Sequence, residues 1–315
     1  MTITLEPPSP APTPPPAKKK RTNPLRSFIP VLLVLVGVAV LLYPIFATNW
    51  NNHRQREIAR EYNNQLTQAA PETLSDGLER ARAYNDPLPG VPILDPWLSN
   101  AASAPESDAY REYESQLNDF GAMARVRVPR VGIDLPIYHG TSDEVLAKGA
   151  GHLYGTSLPV GGEGSHTVLT SHTAFANATL FDHLIDVVEG DVFYIDVYGE
   201  TLAYEVDQIL VVLPDEIGAL APEDDKDLAT LFTCTPYAVN THRLLVRGHR
   251  VPYDEQAERS SHGGAELGGF ILEPWMYGLL AGAAGGLGLL TLFVVRNRRR
   301  AKTAAQHSSV RREAP

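Results

Sequence analysis

A single cysteine, Cys234, stands in 315 residues. One cysteine cannot close an intrachain disulfide, so whatever Cys234 does it does as a thiol. No Gly-rich loop opens a helix, so the chain lacks a phosphate cradle. No set of Cys, His and carboxylates has metal-ligand spacing. The nearest approach, Glu223, Asp224, Asp225 and Asp227, reads as a solvated acidic loop. Neither a metal nor a cofactor is therefore expected. No internal repeat is present. Basic residues are also scarce in the middle of the chain, where residues 48–272 hold 15 Lys+Arg against 34 Asp+Glu, a net of −19. Such a surface argues against nucleic acid and against adhesion to anionic lipid. It suits a basic partner segment, although a solvated acidic face accounts for most of the charge.

The basic residues that are missing from the middle lie at the two ends, beside two apolar runs. Phe28 to Ala47 is almost uninterrupted, and Trp275 to Val295 is rich in Gly, Ala and Leu. Twenty residues in helix span about 30 Å, the hydrocarbon thickness of a bilayer. Lys18, Lys19, Lys20, Arg21 and Arg26 precede the first run, and Arg296, Arg298, Arg299 and Arg300 follow the second. The positive-inside rule puts both flanks in the cytoplasm, so the chain crosses out and returns. A cleaved signal peptide is the alternative for the first run, but its apolar core is usually shorter, roughly 7–15 residues. Tyr43 and Trp50 fit the interfacial aromatic belt. The glycines of the second run, Gly278, Gly282, Gly285, Gly286 and Gly288, permit close packing on the first helix or are simply small residues in lipid.

Residues 1–27 then read as a disordered, Pro-rich, basic cytoplasmic tail, 28–47 as a transmembrane helix and 48–121 as an extracellular helical region. Residues 122–254 follow as the main domain, 255–274 as a linker, 275–295 as the second transmembrane helix and 296–315 as a basic cytoplasmic tail. In the exposed part, Ile58, Tyr62 and Leu66 make an apolar stripe on a helix from about Asn51 to Gln68. Tyr110, Tyr113, Leu117 and Phe120 do the same over Asp108 to Phe120. Between them Asp86 to Pro92 is breaker-rich and reads as loop.

From Ala124 the period becomes two. Strands are predicted at Ala124–Val128, Ile133–Tyr138, Thr167–Thr170, Asp191–Val197, Leu202–Leu213, Ala229–Thr233 and Arg243–Val251. Short helical turns are predicted at Asp143–Lys148 and Thr179–Ile185. So many strands in so short a stretch predict a mainly β fold, a closed or nearly closed barrel with short helices.

Cys234 ends the run Thr230-Leu231-Phe232-Thr233-Cys234, His172 ends the run Thr167 to Ser171, and Arg243 opens a Leu-rich strand. A lone cysteine is most often a small buried hydrophobe. A thiol, an imidazole and a guanidinium, each at a strand end, nevertheless make the parts of an acyl-transfer site. Three strand ends of this kind can meet at one barrel mouth.

Thr230-Leu-Phe-Thr-Cys234-Thr-Pro236-Tyr237, with Asn240-Thr-His-Arg243 and the strand after it, resembles the active-site signature of the sortases, in particular the pilin-polymerising class C. The resemblance runs upstream through Pro136 to Thr141, Gly151-His152-Leu153 and Gly155 to Pro159, and covers Ala122 to Tyr253. One departure is visible: the family often has Gly before and Arg after the histidine, whereas here Ser171 and Thr173 flank His172. The resemblance implies a sortase barrel and a catalytic set of Cys234, His172 and Arg243. Cys234 would attack the Thr–Gly carbonyl of an LPXTG-like sorting signal. His172 would protonate the leaving amine and later take a proton from the incoming one, and Arg243 would hold the oxyanion. It also implies that Asp95, Pro96 and Trp97 form a lid, with Asp95 on the arginine and Trp97 over the cysteine. In isolation those three residues are only a turn followed by an apolar anchor.

The expected partners are pilin subunits carrying such signals, a pilin lysine amine as acceptor, and the membrane. A sortase that anchors proteins to peptidoglycan shares the same chemistry. A wall-anchored surface protein, itself a substrate, is the reading from another class, but no LPXTG-like pentapeptide precedes Trp275. A peptidoglycan L,D-transpeptidase would place its cysteine after a Ser-His-Gly run, which is absent. His152, His166, His242 and His249 are expected to be core or hydrogen-bonded, and Arg247 and Arg250 to lie on the surface.

Overall fold

The computed structural model describes residues 24–86, 107–216, 218–261 and 272–310. Two compact units result, one from Tyr43 to Met276 and one made of the chain on either side of it. The flanking unit contains the start of α1 (Pro24–Gln68) and most of α6 (Pro274–Val310). Both helices are long and apolar enough to cross a membrane. Within this unit Gly282 and Gly286 face Leu41 and Val38, but an added Cβ would meet them at ordinary contact distances of 3.7 and 3.6 Å. Close packing therefore does not demand glycine at either position.

The central unit is a closed barrel of eight strands in the order β1-β2-β3-β4-β7-β8-β6-β5. The strands are β1 Ala124–Val128, β2 Ile133–His139, β3 Ala150–His152, β4 His166–Thr170, β5 Val192–Val197, β6 Glu200–Val212, β7 Leu228–Thr235 and β8 His242–Val251. β2–β3 and β4–β7 pair in parallel; every other pair is antiparallel. All seven predicted strands are present to within two residues. Periodicity does not predict β3, whose three residues are too few to show a period of two. Gly151 sits there because a Cβ would collide with the Gly140 carbonyl oxygen.

Helices depart further from expectation. The predicted helix at Asn51 is the continuation of α1, and its buried stripe is Asn52, Gln55, Ala59, Tyr62 and Leu66 rather than one through Ile58. The Tyr62 hydroxyl donates to the Met123 carbonyl and accepts from Tyr198 N–H, both at 3.2 Å, which ties α1 to the barrel. α2 (Pro71–Asn85) is not predicted by periodicity, because only Gly77, Leu78 and Ala81 are buried; Pro71 at its first turn and Glu72 beside it mark the start. α3 (Asp108–Ser115) is capped by the Ser107 side chain, which accepts from Tyr110 N–H at 3.1 Å. It stops short of Phe120 because Gln116 is extended and Leu117, at φ 48°, turns into the core. α4 (Asp143–Leu146) and α5 (Glu255–Ser261) are short.

Strand alternation sorts the apolar side chains into two layers. Leu169 of β4, Ala229 and Leu231 of β7, and Leu244 and Val246 of β8 join the main core with β1, β2, β5 and β6. Val168, Phe232 and Leu245 point the other way, into a second cluster with Leu153 and Leu220. Fully burying one such Leu or Phe is worth about 1.5–3 kcal/mol. Register along β4, β7 and β8 is thus strongly determined, since a one-residue slip would exchange the layers.

Candidate active site

That register governs where His172, Cys234 and Arg243 stand. In the parallel β4–β7 ladder Thr170 lies opposite Phe232 as the last pair, and His172 follows two residues past the end of β4. In the antiparallel β7–β8 ladder Cys234 lies opposite Arg243. Parity decides the face. Cys234 falls in phase with Phe232 and Arg243 with Leu245, both of the outer cluster. Cys234 and Arg243 therefore share the face of Phe232 and Leu245, at the ends of β7 and β8.

Hydroxyl bonds fix the backbone around His172. Ser171 Oγ donates to the Gly149 carbonyl at 2.8 Å, and Thr233 Oγ1 donates to the Ser171 carbonyl at 2.7 Å. Because the Thr233 proton is used there, the 2.6 Å contact between Thr173 and Thr233 has Thr173 as donor. Ser171 and Thr173, which depart from the family pattern, are thus both built into the strand junction. The His172 ring stacks on Phe175 with centroids 5.2 Å apart and planes 6° from parallel. Burial holds the imidazole pKa below its ordinary value, against the opposing pull of Asp143. The neutral ring therefore dominates at pH 7.

Arg243 is buried, with 4% of its surface exposed. Its Nη1 donates to the carbonyls of Asn240 at 3.1 Å and His242 at 3.2 Å. The β7–β8 turn that supplies the first of these is closed by Val239 and Asn240 N–H on the Pro236 carbonyl, both at 3.0 Å, with Ala238 and Asn240 at positive φ.

Cys234, 6% exposed, borders a cavity of about 30 Å³ that is also lined by Thr173, Phe181, Asp182, Thr233 and Tyr237. Sequence reasoning missed Asp182, which lies in the predicted turn and carries no motif. Its Oδ1 accepts from Ala174 N–H at 2.6 Å. Burial pushes its carboxyl up to about 6; the Ala174 N–H opposes this, Glu273 adds to it, and His183 and the Tyr237 hydroxyl pull it back. The segment is anchored from α1, where Asn51 Nδ2 donates to the Asn177 carbonyl at 2.9 Å and Asn52 exchanges two bonds with Thr179, at 2.7 and 3.0 Å.

The remaining predicted residues divide by location. Asp95, Pro96 and Trp97 lie outside the described residues. His152 is fully buried between Tyr113 Oη and the Ser157 carbonyl, and His166 between the Ala221 carbonyl and Thr230 Oγ1. His242 and His249 are half-buried. Arg247 differs from expectation, because its guanidinium is largely covered, bridging Asp207 and Glu223 at 2.9 Å each. Asp227 also leaves the acidic loop, turning in to Tyr204 and Gly162. Among the described residues no group of three His, Cys, Asp or Glu could hold a metal ion.

A closed eight-stranded barrel is the architecture of a sortase, and comparison with known proteins agrees. The sortase domain profile matches residues 126–251. Sortase C-1 from Actinomyces oris is 48% identical, with a TM-score of 0.56 over 58% of this chain and 99% of that one. A lid mutant of sortase A from Corynebacterium diphtheriae is 49% identical, with a TM-score of 0.56 over 60% and 100%. Sortase C from Streptococcus pneumoniae is 41% identical, with a TM-score of 0.57 over 62% and 97%. The chain belongs to the sortase family of transpeptidases, and its structural relatives place it with class C.

Proposed function

We propose that this protein is a membrane-anchored cysteine transpeptidase that joins pilin subunits on the outer side of the membrane. The pairing of Cys234 with Arg243 across β7 and β8, with His172 two residues past the end of the adjoining β4, is the observation that carries this reading. Cys234 attacks the Thr–Gly carbonyl of an LPXTG-like signal, the C–N bond breaks, and a thioester forms. His172 protonates the departing amine and then accepts a proton from the incoming one. The Arg243 guanidinium, set in its pocket by the turn carbonyls, presents its other donors to the oxyanion. A pilin lysine amine resolves the thioester as an isopeptide.

Two further features support the subclass. The Streptococcus pneumoniae relative is described in terms of pilin substrate specificity, and the Corynebacterium diphtheriae relative as a lid mutant. Asp95-Pro96-Trp97 is the matching candidate lid here. α1 and α6 are long and apolar enough to cross a membrane, and by the positive-inside rule their basic flanks support a topology with those flanks in the cytoplasm and the barrel outside.

The test is incubation of the full chain in detergent with an LPXTG-type peptide and a pilin. A Cys234 thioester followed by a covalent ladder of rising mass is expected. A thioester passed to a peptidoglycan amine but never to pilin would make this a wall-anchoring sortase instead. Absence of any thioester would overturn the reading.

A further inference from the structure

The loop that follows His172 takes a path its own residues do not favour. Ala174 and Leu180 lie at φ 60° and 46°, in the left-handed region that residues with a Cβ rarely enter. Such backbone persists only where the surrounding structure over-determines it. Within the loop, Phe181 N–H donates to the His172 carbonyl at 3.1 Å, and Asp182 Oδ1 accepts from Ala174 N–H at 2.6 Å. Phe175, between these two closures, carries the ring on which the imidazole stacks. The loop therefore sets both the backbone and the ring plane of His172.

What holds the loop comes from both ends of the central unit. Asn52 of α1, 6% exposed, bonds Thr179 twice: Nδ2 donates to Oγ1 at 2.7 Å, and Oδ1 accepts from the N–H at 3.0 Å. Asn51 Nδ2 donates to the Asn177 carbonyl at 2.9 Å. From the other end Glu273, also 6% exposed, accepts from His183 Nε2 at 3.0 Å, one residue beyond Asp182. Asn52 lies just past the apolar run that ends at Ala47, and Glu273 just before the run that opens at Trp275. A buried amide and a buried carboxylate are unfavourable unless bonded, and the loop supplies partners for both.

We propose that Asn52 and Glu273 are positioning residues for His172, each fixing from one helix stem the loop that orients the imidazole. This rests on the reading that His172 protonates the departing amine. Each acts through the loop alone. Loss of either lets the imidazole drift from the leaving nitrogen, while Cys234, held by the β7–β8 ladder, keeps its place.

The leaving group separates misplacement of the acid from damage to the whole site. The full chain in detergent is given an LPATG peptide, whose amine must take a proton to leave, and the same LPAT acyl group as a p-nitrophenyl ester, whose phenolate leaves without one. Both are run at about pH 8.5, where a thiol of ordinary pKa is half ionised without a base. Asn52→Ala, Glu273→Ala and Thr179→Val, the last of which keeps the size of the side chain and removes the acceptor, should each lower kcat for thioester formation from the peptide by about 10–100-fold. Turnover of the ester should be unchanged. Glu273→Gln keeps an oxygen for His183 and should recover most of the loss. Equal losses on peptide and ester would reduce both residues to supports of the fold and overturn the proposal. Wild-type peptide rates in the combined Asn52→Ala, Glu273→Ala variant would overturn it too. His172→Ala tests the underlying reading separately: it should lose the peptide and keep the ester, and peptide cleavage at the wild-type rate would remove the histidine from the chemistry and the proposal with it.

Discussion

The β7–β8 ladder has two ends, and they treat polar groups differently. At the Leu228/His249 end the Asp227 carboxylate accepts from Tyr204 Oη at 2.9 Å and Gly162 N–H at 3.0 Å, with Ser165 Oγ and Arg250 Nη1 at 3.4 Å. Arg247 closes the same region on Asp207 and Glu223. Charge meets opposite charge there, and the result is a clasp. At the Cys234/Arg243 end the imidazole of His172 is kept neutral and the carboxyl of Asp182 is pushed up to about 6. Burial there shifts the ionisation of both groups, which is the condition that acid–base chemistry requires. One hairpin thus pairs charges at one end and, on the proposed function, holds the nucleophile at the other.

The comparison breaks most sharply at Cys234. Cys234→Ala should abolish the substrate adduct seen by intact mass while costing only about 1 kcal/mol of stability, since a small buried group replaces another. An adduct that survives would remove Cys234 from the chemistry. Arg243→Lys keeps the charge and loses the planar fork, so turnover should fall by about 10²–10³ in a folded protein. Near wild-type turnover would show that Arg243 contributes bulk charge alone.

If Asp95, Pro96 and Trp97 gate the same end, Asp95→Ala with Trp97→Ala should raise the rate at which a small thiol reagent modifies Cys234, several-fold or more, by increasing the open fraction. An unchanged rate with a lowered melting temperature would make Trp97 an ordinary packing residue.

The opposite end should respond in stability, not rate. Asp227→Ala strands the Tyr204 hydroxyl and Arg250, and should cost about 2–4 kcal/mol by chemical denaturation. The folded fraction should still form the thioester at the wild-type rate; a matching loss of rate would couple the two ends.

The smallest effect concerns His183, which bonds Glu273 at 3.0 Å and has its pKa raised to about 8 by that hydrogen bond. A raised histidine pKa contributes stability that is full below its unfolded value near 6.5 and is lost as pH climbs through 8. With its side chain 37% exposed, solvent screening limits the contribution to about 1 kcal/mol or less. His183→Asn should flatten the melting temperature between pH 6.5 and 8, and an unaltered slope would assign that dependence elsewhere.

Much of this was legible in the chain because it is local. Alternation in Ala124–Val128, or a short apolar run such as Leu228–Thr233, is a property of neighbours, so seven strands follow from such local patterns. So do the two apolar spans, and the positions of Cys234, His172 and Arg243 at strand ends. The sequence by itself therefore determined the barrel class and named the thiol, imidazole and guanidinium. Only the tertiary structure decided the rest. Ladder register put Cys234 opposite Arg243. Leu117 ended α3 early because the core required it. Asp227 left the acidic loop to hold Tyr204. The environment of Asp182 depends on Glu273, 91 residues away, on a tyrosine in another turn, and on burial by β7. Periodicity reports which face a residue takes within its own element. Dielectric, charge and partners are set by whatever elements pack against it, and no local pattern encodes them.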